Sequence, residues 1–139
     1  MSFEKLHEKA IEEERFKQAE SELISILQEI DEQKTFRLLG YSSLFQYAVA
    51  GLKISENEAY TLITVSRKSK QIPELKQAIS IGKINTSQAR RITAVITSKN
   101  QTEWIEKAAT LSRRELEKEI VRIAPKEATP EKLTYSQSH

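Results

Sequence analysis

The fold is decided by a stretch that reads SRKSKQIPELKQAISIGKINTSQARRITAVITSK, residues 66–99. Its apolar residues recur with a helical period on both sides of Gly82, which predicts two helices joined by a glycine turn. Pro73 suits the first position of the earlier helix, and Asn85 or Thr86 suits the N-cap of the later one. These proportions are those of a helix-turn-helix hairpin.

The rest of the chain also has a helical pattern. Glycine and proline occur only three times each in 139 residues, and each lies where a helix should begin or end. Asp31 is the only aspartate among 20 acidic residues, and glutamate is the better helix former. Ser55 and Ser112 each begin an S-x-x-E capping box. We therefore predict an all-α fold, a bundle of six to seven helices with a long N-terminal helix or helix pair and a helix-turn-helix-like hairpin.

The length indicates one domain with a single core. We predict a helical domain over residues 1–125, made of an acidic N-terminal helical segment (1–39) and a helical core (40–125). Residues 126–139 form a polar tail or a linker. The predicted inward faces of the core helices comprise Ala59, Leu62, Ile63 and Ser66; Leu75, Ala78 and Ile79; Ala89, Ile92, Val95 and Ile96; Trp104, Ala108 and Leu111; and Leu116, Ile120 and Ile123.

The N-terminal segment carries two apolar stripes. One consists of Phe3, Leu6 and Ala10, and the other, about 140° away at 100° per residue, of Phe16, Ala19, Leu23, Ile26, Leu27 and Ile30. Either the helix bends between them, or the first stripe packs on something other than the core. That partner is the chain's own later helices or a second copy, which would make a homodimer through the N-terminal helix.

Charge is strongly polarised along the chain. Residues 66–99 contain eight basic residues and one acidic residue, whereas residues 1–32 contain ten acidic and four basic residues. A basic helix-turn-helix segment is typical of nucleic-acid binding, and the alternative is a set of solvated helix faces. The predicted DNA-contacting residues are Arg67, Lys68, Lys70, Lys83, Ser87, Arg90 and Arg91. Pairing of the acidic segment with the basic segment of a second copy would also suit a two-fold dimer.

We expect the second helix of the hairpin to be the recognition helix that contacts the bases of DNA. Thr86, Ser87 and Gln88 lie at its N-terminal end, where a recognition helix meets base edges. Arginine and glutamine suit guanine and adenine edges. Four aromatic residues, Tyr41, Phe45, Tyr47 and Tyr60, are either stacking groups for single strands or parts of the core.

Catalytic chemistry is not evident in the sequence. It contains no cysteine, and neither His7 nor His139 has a second ligand at metal or triad spacing. The three glycines are too far apart for a phosphate-binding loop. We therefore predict no catalytic residue, metal, cofactor or small-molecule ligand. The N-terminus lacks the apolar region of a signal peptide and no stretch suits a membrane span, so we expect a cytoplasmic chain.

The middle of the chain resembles the helical N-terminal domain found ahead of the nuclease module in bacterial HNH endonuclease-type proteins. The resemblance covers about residues 36–120 and is carried by Gly40-Tyr41-Ser42-Ser43-Leu44-Phe45-Gln46-Tyr47, Leu52, Ser55, Ala59-Tyr60, Pro73, Ala78-Ile79, Gly82, Ile84, Leu111-Ser112 and Arg114-Glu115-Leu116. Its most specific part is the Gly-Tyr-x-Ser-Leu-x-x-Tyr motif.

That resemblance implies an accessory, DNA-associated domain. An HNH site uses histidine and asparagine residues of a ββα-metal motif, and the sequence contains no such segment. The resemblance therefore implies no catalytic residue here. The chain is expected to be either a fragment of a longer nuclease or a stand-alone relative without the nuclease module.

Overall fold

A computed structural model describes residues 2–123, with the side chains of all of these except residues 13, 14 and 16–18. The described residues are all-helical, which confirms the predicted fold class. The elements in chain order are α1 (Phe3–Gln33), α2 (Thr35–Leu38), α3 (Leu44–Gln46) with a π-helical turn (Tyr47–Gly51), α4 (Glu56–Gln71), α5 (Pro73–Ser80), α6 (Thr86–Ile92), α7 (Gln101–Thr110) and α8 (Arg113–Ile123). The expected polar tail, residues 126–139, lies outside the described residues.

The described residues contain eight α-helices rather than the expected six to seven. The additional helix arises at Lys34, which has a left-handed φ of 53° and donates its N–H to the carbonyl of Ile30. This conformation ends α1 and starts α2 at the next residue. The N-terminal segment is therefore a helix pair.

Local signals placed the helix starts correctly. Pro73 is the first residue of α5, and Gly82, with φ of 80°, makes the turn before α6. The Asn85 side chain accepts from the N–H of Gln88 at 2.8 Å, and the Gln88 side chain accepts from the N–H of Asn85 at 2.8 Å. Because each side chain satisfies a backbone donor of the other residue, this capping box fixes the start of α6.

Helix α6 is shorter than predicted, ending at Ile92 rather than near Thr97. The Asn100 side chain donates to the carbonyl of Val95 at 3.1 Å and accepts from the N–H of Thr97 at 2.6 Å. These bonds hold residues 93–100 in a turn. Val95 and Ile96 nevertheless remain buried, as predicted.

The core lies where the second half of α1 packs on α4 and α5, and where α6 packs on α4 and α7. The predicted inward faces of α4 to α8 are buried except at two positions, since Leu111 is half-buried and Ile123 is 57% exposed. Ile123 lies in the last turn of α8, where no described residue covers it. Leu116 and Ile120 of the same helix are buried.

The buried face of α1 differs from the predicted stripe. Ile24 and Leu27 are fully buried, whereas Ala19 and Ile26, which were expected to face inward, are exposed. Polar contacts with α4 and α5 set this rotation. The Nζ of Lys76 donates to Ser25 Oγ at 3.0 Å, and the Gln28 side chain donates to the carbonyl of Ser66 at 2.8 Å. The inward face therefore follows these polar residues as well as the apolar ones. The side chain of Phe16 lies outside the described set.

Candidate nucleic-acid interface

One side of the basic segment faces the acidic end of α1. Arg67 donates from Nε and Nη2 to the two carboxylate oxygens of Asp31 at 3.0 and 3.2 Å, and Lys70 contacts Glu32 at 3.0 Å. The hydrogen bond from Arg67 lowers the pKa of Asp31. Asp31 and Glu32 thus have basic partners within the same chain, whereas the sequence suggested basic partners in a second copy.

A third predicted contact residue is also ion-paired. Lys83, in the turn before α6, contacts Glu106 of α7. We call Arg67, Lys70 and Lys83 the paired cations, since each of them meets a carboxylate from another helix. Their pairs link elements that are far apart in the sequence, so part of the basic footprint serves the fold.

The N-terminal end of α6 faces the interior. The hydroxyl of Thr86, which is buried, donates to Glu20 of α1 at 3.1 Å, and the Gln88 side chain donates to the carbonyl of Ala108 at 3.0 Å. Burial raises the pKa of Glu20, the bond from Thr86 lowers it, and nearby Glu58 raises it. The expectation that Thr86 and Gln88 meet base edges is therefore wrong. Ser87 remains exposed.

The outer side of α6 carries Arg90 and Arg91, as predicted. The guanidinium of Arg90 lies 4.6 Å from the ring centroid of Tyr60 on α4. Arg91 is half-buried; burial is the main cause of its lowered pKa, and the positive charge of Arg113 on α8 lowers it further, against a raising effect of Glu117. Arg91 is therefore within electrostatic reach of both Arg113 and Glu117 of α8. We call Arg90, Arg91 and Arg113 the arginine cluster.

Arg113 was not singled out by the sequence. Its pair with Glu117 of α8, at 3.2 Å, is exposed on both side chains, so it is a weak pair. The only sequence signal was the dipeptide Arg113-Arg114 inside a capping box. Its electrostatic effect on Arg91 of α6 depends on how α8 packs, which no local sequence pattern indicates.

A groove lies next to the arginine cluster, between α3, α4 and the turn after α6. Its volume is about 590 Å³, and its lining consists of Ser43, Leu44, Phe45, Tyr60, Ile63, Thr64, Arg67, Lys68, Gln71, Thr93 and Ala94. Leu44 and Ile63 are buried, which makes the floor apolar, whereas Phe45 and Tyr60 are 39% and 47% exposed. Lys68, the remaining predicted contact residue, belongs to this groove.

The Gly-Tyr-x-Ser-Leu-x-x-Tyr motif builds one wall of the groove. Ser43 caps α3 by accepting from the N–H of Gln46 at 3.0 Å, which places Leu44 in the core and Phe45 at the groove. Tyr41 and Tyr47 pack edge to face, with centroids 5.6 Å apart, and are half-buried. The four candidate aromatic residues therefore divide into a packed pair, Tyr41 and Tyr47, and a groove pair, Phe45 and Tyr60.

The described residues contain no metal-binding geometry, since no three of their histidine, cysteine, aspartate or glutamate side chains lie close enough to hold a metal ion. His7 stacks on Phe3, with ring centroids 6.1 Å apart. No helix in residues 2–123 is both long and apolar enough to cross a membrane.

Comparison with known proteins adds no relative. No family model, curated protein or solved structure matches the chain.

Proposed function

We propose that this chain is a non-catalytic, DNA-associated helical domain that contacts the phosphate backbone through the arginine cluster. The observation that carries the proposal is that the guanidinium of Arg90 lies 4.6 Å from the ring centroid of Tyr60, which lines the same groove as Lys68. Arg91 of α6 is in addition within electrostatic reach of Arg113 of α8. Glu117 offsets part of the repulsion between these two like charges, and binding of a polyanion would offset it further. Arg90 lies beside Arg91 on the same helix, and Lys68 lies in the adjoining groove.

The paired cations contribute less to this surface because each is tied to a carboxylate of another element, whereas Arg113 meets Glu117 of its own helix in a pair that is exposed on both side chains. The phosphate-contacting set is therefore Lys68 and the arginine cluster, together with exposed Ser87 as a hydrogen-bond donor to phosphate. If these four cations each neutralise one phosphate, the log–log salt slope of the affinity should be about −3.6.

Fluorescence anisotropy with a labelled duplex tests the proposal. Binding should be measurable at about 50 mM salt with micromolar protein and should weaken steeply as salt is added. Absence of binding under these conditions contradicts the proposal. A slope near zero with retained binding would indicate an interface that does not use phosphate charge.

The resemblance to the domain that precedes HNH nuclease modules supports a role beside such a module. In that role the chain would hold DNA and a separate module would cut it, and its place would be the cytoplasm. We expect plasmid incubated with this chain and Mg²⁺ or Mn²⁺ to stay supercoiled. Nicking by the pure protein that EDTA abolishes would identify a catalytic site and overturn the non-catalytic proposal.

A second candidate function is protein–protein interaction or dimerisation without nucleic-acid contact. It is favoured by the first half of α1, where Phe3 and Leu6 are 80% and 52% exposed and every described side chain before Glu20 is exposed. These side chains are too few for a stable dimer by themselves, since specific interfaces bury about 1,200 Å² or more. Other surfaces would have to contribute.

Sedimentation equilibrium tests this second candidate. The full chain should be dimeric, whereas the Phe3→Ser and Leu6→Ser double variant and a chain beginning at Arg15 should both be monomeric. Leu38→Ser is the matched control, because Leu38 is 87% exposed on α2. A monomeric full chain would contradict dimerisation, and a dimer in all variants would place the interface elsewhere.

A further inference from the structure

The groove between α3, α4 and the turn after α6 combines features that duplex binding does not need. Phosphate contact with a duplex requires cations, whereas this groove also presents two exposed aromatic rings above an apolar floor. Its volume of about 590 Å³ lies within the range of sites that enclose small flat ligands. Exposed aromatic rings beside cations are typical of surfaces that bind single-stranded nucleic acid.

We infer that this groove takes unpaired bases of single-stranded DNA, which stack on Tyr60 and Phe45 while Lys68 contacts the flanking phosphate. The inference deepens the proposed function, since it rests on DNA contact at the adjoining arginine cluster. It adds a ligand class, the unpaired base, and two residues that the phosphate-contacting set does not include.

The geometry of Tyr60 supports the stacking role. Its ring lines the groove and also lies 4.6 Å from the guanidinium of Arg90. Tyr60 therefore connects the groove to Arg90, and a base would stack on the part of the ring that Arg90 does not cover. Arginine near an aromatic ring also contributes to stacking platforms through its positive charge.

The charge of the lining favours a nucleotide over an apolar peptide. The described residues of the groove include two cations, Arg67 and Lys68, and none of them is acidic. Arg67 retains a 58% exposed side chain although it contacts Asp31. An apolar peptide would gain nothing from these cations, whereas a base brings a phosphate on each side.

The decisive measurement compares three labelled probes with the full chain: an oligothymidine of about 12 nucleotides, an abasic strand of equal length, and a duplex. All three carry phosphates, but only the first offers unpaired bases. Oligothymidine should bind about 5- to 150-fold more tightly than the abasic strand. An oligonucleotide containing 2-aminopurine should lose fluorescence on binding, because stacking quenches this base.

Variants assign the difference to the groove. Tyr60→Leu should reduce the preference for oligothymidine over the abasic strand, whereas Tyr60→Phe keeps the ring and should preserve it. Phe45→Leu gives an independent reduction, and thermal melting checks the fold of each variant. If Tyr60→Leu does not fold, Phe45→Leu and the probe comparison still decide the matter.

The outcomes separate the two proposals. If duplex, oligothymidine and abasic strands bind equally, the stacking inference is overturned and phosphate contact stands. If no probe binds, both proposals are overturned. Displacement of bound oligothymidine by a short acidic, tyrosine-rich peptide at lower concentrations than by free oligothymidine would overturn the inference in favour of a protein partner.

Discussion

The paired cations and the arginine cluster are both sets of basic residues, but they differ in the charges that surround them. Arg67, Lys70 and Lys83 each meet a carboxylate from another helix. Arg91 instead is half-buried and within electrostatic reach of another cation, Arg113, whose effect Glu117 opposes. Arg67 and Lys70 are paired because the acidic C-terminal end of α1 lies beside α4, and Lys83 is paired because the turn before α6 lies beside α7. A basic stretch of sequence therefore indicates a binding surface only for those residues that do not form ion pairs with carboxylates of other helices.

The largest expected effect comes from breaking the support beneath the arginine cluster. Ile92 of α6 is fully buried, so Ile92→Ala should lower the free energy of unfolding by about 2–5 kcal/mol. Ile81→Ala is the matched control, since Ile81 is 64% exposed and its loss should cost less than about 0.5 kcal/mol. Urea denaturation measures both. Equal effects would contradict the burial of this face.

The next effect concerns DNA affinity. Arg90→Ala combined with Arg91→Ala should make the log–log salt slope less negative by about 1.8, because two phosphate contacts are lost. The stability cost should be about 1 kcal/mol or less for the contact of Arg90 with Tyr60.

The matched control for that variant removes two paired cations. Lys70→Ala combined with Lys83→Ala changes the net charge equally, so it should leave the slope unchanged if these lysines serve the fold. Anisotropy titrations over a range of salt measure both double variants. Equal changes in slope would show that the whole basic stretch contacts DNA and that the paired cations do not differ from the arginine cluster in this respect.

A smaller effect is expected for the pair of Arg67 and Asp31. A double-mutant cycle with Arg67→Ala and Asp31→Ala should give a coupling free energy of about 0.2–1 kcal/mol, since the Arg67 side chain is 58% exposed. Thermal or urea unfolding measures each corner of the cycle. No coupling would mean that solvent screens this pair completely.

The smallest effect is a pH dependence. The folded pKa of Asp31 is lowered by Arg67, so its stabilisation is complete above the unfolded value of about 3.9 and is lost as pH falls through the folded pKa. Asp31→Asn should flatten the dependence of the unfolding free energy on pH at this acidic end.

Glu20, whose pKa is raised by burial, acts in the opposite sense, with stabilisation lost as pH rises above about 4.3. Glu20→Gln should therefore remove the decline in the free energy of unfolding that occurs as pH rises above about 4.3.

The sequence by itself determined the features that depend on neighbours along the chain. Helical periodicity gave the all-α class, and the caps at Ser55 and Ser112 lie where they were predicted, as does the cap of α6 at Asn85, the first of the two residues proposed for it. These signals are local because a cap involves residues three apart and an inward face repeats every three or four residues. The outer side of α6, with exposed Ser87 and half-buried Arg90 and Arg91, followed from the same periodicity.

Only the tertiary structure decided which surfaces face each other. The sequence placed Ile26 inward and offered Thr86 and Gln88 to DNA, whereas the polar contacts of α1 and α7 reverse both assignments. The sequence did not indicate the contact of Arg90 with Tyr60 or the electrostatic effect of Arg113 on Arg91, since each pair is separated by more than 20 residues. Such contacts depend on the angles at which helices pack, and those angles are set by the whole core rather than by any one segment.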